Sequence, residues 1–552
     1  MLSRGRIQLL IVAVATLLFI PGLGAVHLFD WDEINFAEIA REMVVSGDWL
    51  RPQMHFEAFH EKPPLFMWMQ AASMSVFGVG EFAARFPNAI CGIITLLVLF
   101  RTGERLRGRV FGMLWALAYI GSILPHLYFR SGIIDPWFNL FIFLGLRSII
   151  TVVQHAATSS VVARRQAWFA GIFLGLAVLT KGPVGVLIPG LVMATYWAWG
   201  GFKSFMRWRD LVIIVAGLFI TVGAWAAIDL VRNGQDFMLA FFWRQVAMLT
   251  TEDAGHGGFF GYHFVVLLLG CFPASIFAVH ELIKPTRTSD AQENDHRRWM
   301  VILFWVVLLL FSLVETKIVH YSSLCYFPLT YLGALQLERI WKKREAFGIS
   351  RYALGPLGMP IGALVVALPF VGMNIERIKP LFAQDPFALA NLDADVHWIG
   401  IEGIGGALLI ASLVIGHFLH TSGRFRTSVI SVFCGGALFV TTTLYFCINN
   451  IEAYSQRAAV EFFEDKAPYD CWRQQRTSEG SWLMTYGYKS YVPEFYGRVC
   501  VAQPPEEVLL HGAIDRPVYL ACKITGAAEV EALGGFGELY RRNGFVFYVR
   551  KP

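Results

Sequence analysis

The chain has 552 residues, of which 56% are hydrophobic and 16% charged. Soluble domains carry roughly a quarter charged residues, so a surface facing only water is excluded. Its 46 Lys and Arg against 41 Asp and Glu leave a net +5, too slight an excess to mark a nucleic-acid partner.

Apolar runs at 7–26, 111–128, 211–227 and 299–314 are long enough, or nearly so, to cross a hydrocarbon core about 30 Å thick. Backbone groups in lipid must be satisfied within their own segment, so these runs are predicted helices. Arg4 and Arg6 precede the first run, as they would in a secretion signal. The run is long and no small-x-small cleavage site follows, so a retained first helix is expected. Taken in order, the candidate spans number about thirteen. Basic stretches at 101–109, 163–166, 202–209, 284–298, 338–351 and 421–427 fall on one face, the inside. The alternate loops at 30–64, 131–136, 232–262 and 374–398 are less basic, hold many of the carboxylates, and are assigned outside.

The first outer loop carries the most information. Ile34, Phe36, Ala37, Ile39, Ala40, Met43 and Val44 recur at helical spacing, with Glu38, Arg41 and Glu42 on other faces. This predicts a helix over 34–46 lying in the membrane interface, apolar side down. Asp30, Asp32 and Glu33 stand at its start, where the helix dipole favours anions. One such carboxylate alone reads first as a helix cap; three beside Trp31 and Trp49 point to a site. Next come Glu61-Lys62-Pro63-Pro64, whose prolines stiffen the backbone and aim Glu61 and Lys62. Lys62 suits a phosphate, or is an interface lysine reaching for water.

Later outer turns add polar groups. Asp135 lies in Arg130-Ser131-Gly132-Ile133-Ile134-Asp135-Pro136 and Lys181 in Thr180-Lys181-Gly182-Pro183. Arg244, Glu252, Asp253 and His256 follow in the long loop, then Glu315-Thr316-Lys317 and His320-Tyr321. Each has an ordinary explanation as a cap or solvated turn. Together they predict a cavity with cations for phosphate and carboxylates for sugar hydroxyls or proton transfer. Glu61 and His256 are candidate ligands for a divalent cation, Zn²⁺ being favoured by the imidazole. Two protein ligands are too few for a closed structural site.

From about residue 449 the composition changes. An amphipathic helix is predicted over 455–466, strands over 481–488 and 516–522, and a hairpin over 538–550 around Asn543-Gly544. Five cysteines (Cys91, Cys271, Cys325, Cys434, Cys447) fall in predicted spans, where a thiol is a small hydrophobe. Cys471, Cys500 and Cys522 fall in this outer segment, with Cys471–Cys500 the preferred disulfide. The expected fold is an all-α polytopic membrane domain over 1–448 followed by a small soluble α/β domain over 449–552.

The run Asp32-Glu33-x-x-Phe36-Ala37-Glu38-Ile39-Ala40-Arg41-Glu42-Met43, then Ser46-Gly47-Asp48-Trp49, Glu61-Lys62-Pro63-Pro64 and Glu81-Phe82-Ala83-Ala84-Arg85, resembles the protein-mannosyltransferase-like superfamily of type C glycosyltransferases. Within it, the bacterial lipid A aminoarabinose (4-amino-4-deoxy-L-arabinose) transferases are most similar. Thr180-Lys181-Gly182-Pro183 and the Glu315-Thr316-Lys317 turn extend the resemblance over essentially the whole chain. Many relatives have Arg and Tyr three and four places after the aspartate, where this chain has Asn35 and Phe36.

The resemblance implies a multi-pass protein of the bacterial inner membrane with a periplasmic active site. It also implies an undecaprenyl-phosphate-linked sugar as donor, a lipid A phosphate as acceptor, and inversion at the anomeric carbon. Asp32 would then be the essential carboxylate and Asp135 a second acidic residue. Lys62 would help hold the donor phosphate, and Lys181 and Arg244 are further candidates for that charge. Glu33 and Tyr321 are candidate substrate contacts. Two other readings remain: a transferase using the same kind of donor on a protein or polysaccharide, and a lipid or solute transporter. A transporter would place ionisable groups near mid-bilayer, whereas here the carboxylates collect in loops.

Overall fold

The computed structural model describes residues 3–552 except 157, 251–256, 286–287, 344–347, 349, 468, 471–474 and 477–479. The chain is mostly helical. Among the described residues, eight helices are long and apolar enough to cross a membrane: Glu81–Arg107, Asp135–His155, Ser160–Lys181, Trp208–Asn233, Ala291–Leu313, Tyr352–Met373, Ile401–Thr421 and Phe425–Ala453. Two further apolar pairs bend sharply at a short break, Arg109–Ile120 with Ile123–Arg130 by 82° and Tyr262–Gly270 with Ala274–Ile283 by 120°. This is a multi-pass membrane architecture.

Without a hydrophobic drive inside lipid, helices associate where small residues let backbones approach. Ser160–Lys181 meets Trp208–Asn233 at Gly171, where an added Cβ would lie 2.9 Å from Gly217 Cα. Gly406 on Ile404–Thr421 abuts the Gly362 carbonyl on Ser350–Met373 in the same way. The main core is continuous through Phe111, Trp115, Phe143, Phe272, Trp299 and Tyr331.

At one end of the bundle the C-terminal segment forms a four-stranded sheet, ordered Trp482–Tyr486, Val518–Lys523, Phe545–Arg550, Phe536–Arg542. The first pair is parallel and the other two antiparallel. Asn543 (φ 49°) and Gly544 (φ 76°) turn the hairpin with both central residues left-handed, as a tight two-residue loop requires. One sheet face packs on Glu506–His511 and Ala527–Leu533 through Leu509, Leu510, Val530 and Tyr548. The other packs on Arg457–Asp465, with Phe462 and Phe547 ring centres 4.3 Å apart. Cys500 is disulfide-bonded and Cys522 is a buried free thiol; Cys471, the partner expected for Cys500, lies outside the described residues.

The first-loop helix runs Asp32–Ser46, but its setting differs from the predicted interface helix. Every residue from Glu33 to Met43 is buried. Ile34, Phe36, Ala37 and Met43 share one core with Phe66, Met67 and Met74 of the next helix and with Val492, Phe495, Phe545 and Phe547 of the C-terminal segment. The polar face that would have met water is covered by that segment. Periodicity reports that a helix has a polar side; it carries no information on what will lie over it.

Candidate active site

Four separate segments meet at the end of the bundle that carries the small sheet. Asp32 opens the first-loop helix, preceded by Trp31 at φ 76°. A tryptophan in that region is strained and must be held there by its surroundings. The hold is visible: Leu28 N–H donates to Tyr496 Oη at 2.6 Å, Asp30 N–H to Gln456 Oε1 at 3.0 Å, and Tyr491 N–H to Asp30 Oδ1 at 3.1 Å. Lys489 Nζ lies 5.5 Å from the centre of the Trp31 ring. The C-terminal segment thus sets the conformation of the turn that presents Asp32.

Glu33, expected as a substrate contact, has another task. Its carboxylate accepts from Arg85 Nε at 3.0 Å and Nη2 at 2.8 Å, from Phe29 N–H at 3.0 Å, and from Gly132 N–H. Burial pushes its pKa up, but the Arg85 guanidinium and the two backbone donors outweigh this and hold it below the usual range. Arg85 also binds the carbonyls of Leu23, Val26 and His27. The Glu81-Phe82-Ala83-Ala84-Arg85 motif is therefore a clamp fixing the first loop to the 131–134 turn. Asn88 completes it, donating to the Ser131 and Ile133 carbonyls at 2.7 Å each.

That turn delivers Asp135 to the first position of Asp135–His155, where the helix dipole favours an anion. Lys181 closes Ser160–Lys181, where the dipole favours a cation, and Gly182 (φ 83°) ends the helix. Lys181 Nζ reaches Asp135 Oδ1 at 2.6 Å and sits 5.4 Å from the Tyr321 ring centre. His320, from the short helix Val319–Cys325, joins the two carboxylates: its Nε2 is 3.5 Å from Asp32 Oδ2 and 3.9 Å from Asp135 Oδ2. Burial pushes the imidazole pKa down, with Lys181 and Lys62 adding to this against the opposing pull of Asp135 and Asp32. Lys62 therefore lies within electrostatic reach of His320.

Asp32, His320, Asp135, Lys181 and Tyr321 are thus brought to one cluster, with Lys62 near enough for its charge to act on the imidazole. Arg244 stands beside it through the loop: its Nη2 contacts Glu61 Oε1 at 2.5 Å, while Gln245 Nε2 donates to the Glu61 carbonyl at 3.0 Å. Glu61 is accordingly engaged with a guanidinium. Among the described residues no three His, Cys, Asp or Glu side chains gather as a metal would need; His256, the other candidate ligand, lies outside them. Lys317 caps the preceding helix, its ammonium donating to the Phe311, Ser312 and Val314 carbonyls. His320 is the residue that sequence reasoning left without a role. Its only signal was position, next to Tyr321 in a polar turn at the end of a span.

The arrangement runs carboxylate, imidazole, carboxylate, ammonium. Its open end is Asp32, whose side chain is 45% exposed, and its closed end is Asp135, at 4%. Such a chain can take up or orient a proton at Asp32 and offer positive charge to a phosphate nearby.

The chain is similar to known proteins over most of its length. Residues 61–225 match the family model described as dolichyl-phosphate-mannose-protein mannosyltransferase. The undecaprenyl phosphate-alpha-4-amino-4-deoxy-L-arabinose arabinosyl transferase of Pectobacterium carotovorum is 28% identical over 438 residues, spanning 75% of this chain and 77% of that protein. The chain is thus similar to transferases of this description over about three quarters of its length. A transferase of the same description from Pseudomonas aeruginosa is 28% identical over 70% of this chain and 69% of its own length. The fold is that of ArnT from Cupriavidus metallidurans, crystallised bound to undecaprenyl phosphate. That superposition has a TM-score of 0.77 over 99% of this chain and 98% of that one, at 20% identity.

Proposed function

We infer that the protein is a glycosyltransferase moving 4-amino-4-deoxy-L-arabinose from undecaprenyl phosphate to lipid A phosphate groups. The observation that carries this reading is the meeting of Asp32, His320, Asp135 and Lys181, with Lys62 alongside, at one end of a helical membrane bundle. A transporter would need its charges near mid-bilayer; these stand at helix ends. The names of the sequence relatives supply the sugar and its carrier.

On this reading the bundle sits in the inner membrane of a bacterium with the site and the C-terminal domain in the periplasm. The eight long helices, the two bent pairs, and the shorter helices Arg4–Phe19, Val184–Trp199 and Tyr326–Lys343 make up about thirteen spans. Residues 1–448 form the catalytic membrane domain and 449–552 the soluble one. Lys62 and Lys181, with Arg244 at the edge, meet the donor phosphate and stabilise the charge that develops as the sugar departs. The acceptor phosphate is already an anion and needs no base. Asp32 therefore acts by stabilising positive charge on the sugar and by orienting it, with His320 holding its position. Attack opposite the leaving phosphate inverts the anomeric centre.

The test is mass spectrometry of lipid A from cells with and without the gene. A pentosamine-sized adduct that depends on the gene is expected. An adduct on a protein or polysaccharide instead would move the acceptor while keeping the donor.

A further inference from the structure

At the other end of the bundle, a cavity of about 1000 Å³ opens between the starts of Ser160–Lys181 and Trp208–Asn233. Lys181 closes the first of these helices within the site. At about 1.5 Å per residue, its length puts the cavity roughly 30 Å away, near the opposite membrane surface. Arg164, Arg207 and Arg209 line it. Arg164 is steadied by a bond from Nε to the Ser160 carbonyl at 3.2 Å, and the Arg209 guanidinium lies over the Trp208 ring at 5.8 Å. Among the described residues no side chain caps the start of Trp208–Asn233, and while Asp210 N–H donates to the Arg207 carbonyl at 3.0 Å, the N–H groups of Trp208 and Arg209 face outward to an anion.

Arginines at such a surface are ordinary, and alone they would select nothing. Asp210 changes the case. It lines the same cavity and is only 2% exposed, and among the described residues its Oδ2 has no hydrogen-bond partner. Among the described residues its carboxylate enters no ion pair, despite three arginines around one cavity. A buried carboxylate left in this way is costly unless a donor fills the space beside it.

We propose that this cavity holds the headgroup of phosphatidylethanolamine, its phosphate on the arginines and the open helix start, its ammonium on Asp210. The site offers both signs of charge, as that headgroup does. Exposed Trp199, Phe202 and Trp208 beside it mark the depth at which lipid headgroups lie. An ethanolamine ammonium brings three N–H donors to the orphaned oxygen. A choline headgroup brings the same charge and no donor. A glycerol headgroup brings hydroxyl donors but no positive charge for the carboxylate.

The full-length protein in detergent, titrated with phosphatidylethanolamine, phosphatidylcholine and phosphatidylglycerol of matched acyl chains, should retain the ethanolamine lipid about tenfold more tightly than the choline lipid by native mass spectrometry. Asp210→Asn should erase that preference, while Arg207→Ala should weaken all three lipids alike. Equal retention of ethanolamine and choline lipids by the wild-type protein would overturn the assignment, whatever the variants do. So would tighter retention of the glycerol lipid, or a preference that survives in Asp210→Asn.

Discussion

The first-loop helix carries two carboxylate clusters, and they behave in opposite ways. At its start, Asp32 is half open to water and shares its surroundings with His320, Asp135, Lys181 and Lys62, so negative and positive groups are nearly matched. In its middle, Glu38 and Glu42 lie under the C-terminal domain with Glu494; one guanidinium pairs with Glu38, while Glu42 accepts from Phe56 N–H at 2.8 Å and Glu494 lies 3.3 Å from His55 Nδ1. Arg41 grips Glu38 with two bonds of 2.6 Å and spends a third on the Val499 carbonyl. Burial, with Glu38 next in importance, pushes Glu42 up to about 9; burial, again followed by Glu38, pushes Glu494 up to about 8. The same residue type on the same helix is an available charge where water reaches it. It becomes a proton-holding packing element where water is excluded.

The comparison breaks most sharply at Asp32. Asp32→Asn is expected to lower transfer by about 10²–10⁴-fold with a nearly unchanged melting temperature, because the side chain is half exposed and its contact with His320 is long, at 3.5 Å. Turnover and thermal unfolding of the purified variant would check both halves. Arg41→Leu should do the reverse, costing about 3–5 kcal/mol of stability by stranding Glu38 among like charges, read as a lower denaturation midpoint. Should Arg41→Leu leave stability intact, the middle of the helix is not the sealed cluster described.

Proton binding sharpens the contrast. Glu42 and Glu494 hold protons in the folded state that the unfolded chain gives up near 4.5, so the folded state binds more protons between that value and about 8–9. Their contribution is complete below pH 4.5 and is lost as pH rises, with a slope of up to about 1.4 kcal/mol per pH unit for each proton. Melting curves from pH 5 to 9 should show that decline, and Glu42→Gln should flatten it. Asp135→Asn, which leaves Lys181 without its anion, should reduce turnover less than Asp32→Asn. Lys62→Ala should mainly raise the KM for the donor, by about tenfold if one phosphate contact is lost; saturation kinetics on both variants would rank them.

Much of the candidate site was legible in the chain. Asp32, Asp135, Lys62 and Lys181 each sit in a short polar motif between apolar runs, and such motifs stand out in a membrane protein because charge there is costly. Arg244 was readable as a cation, but its contact with Glu61 was not. His320 was invisible as a partner because its meaning lies in two distances, to carboxylates 288 and 185 positions away in the chain. Glu33 read as a sibling of Asp32, one residue on. The helix turns it by about 100° into Arg85, which decides its role.

Sequence alone determined that the chain crosses a membrane many times, that a small α/β segment follows, and which loops hold the charges. Those properties follow from hydrophobicity, period and turn chemistry, which are local. Only the tertiary structure decided that the small domain covers the first-loop helix, that it pins Trp31, and that four segments meet at Asp32. Contacts between distant residues depend on how whole surfaces pack, and no window of neighbouring residues encodes that.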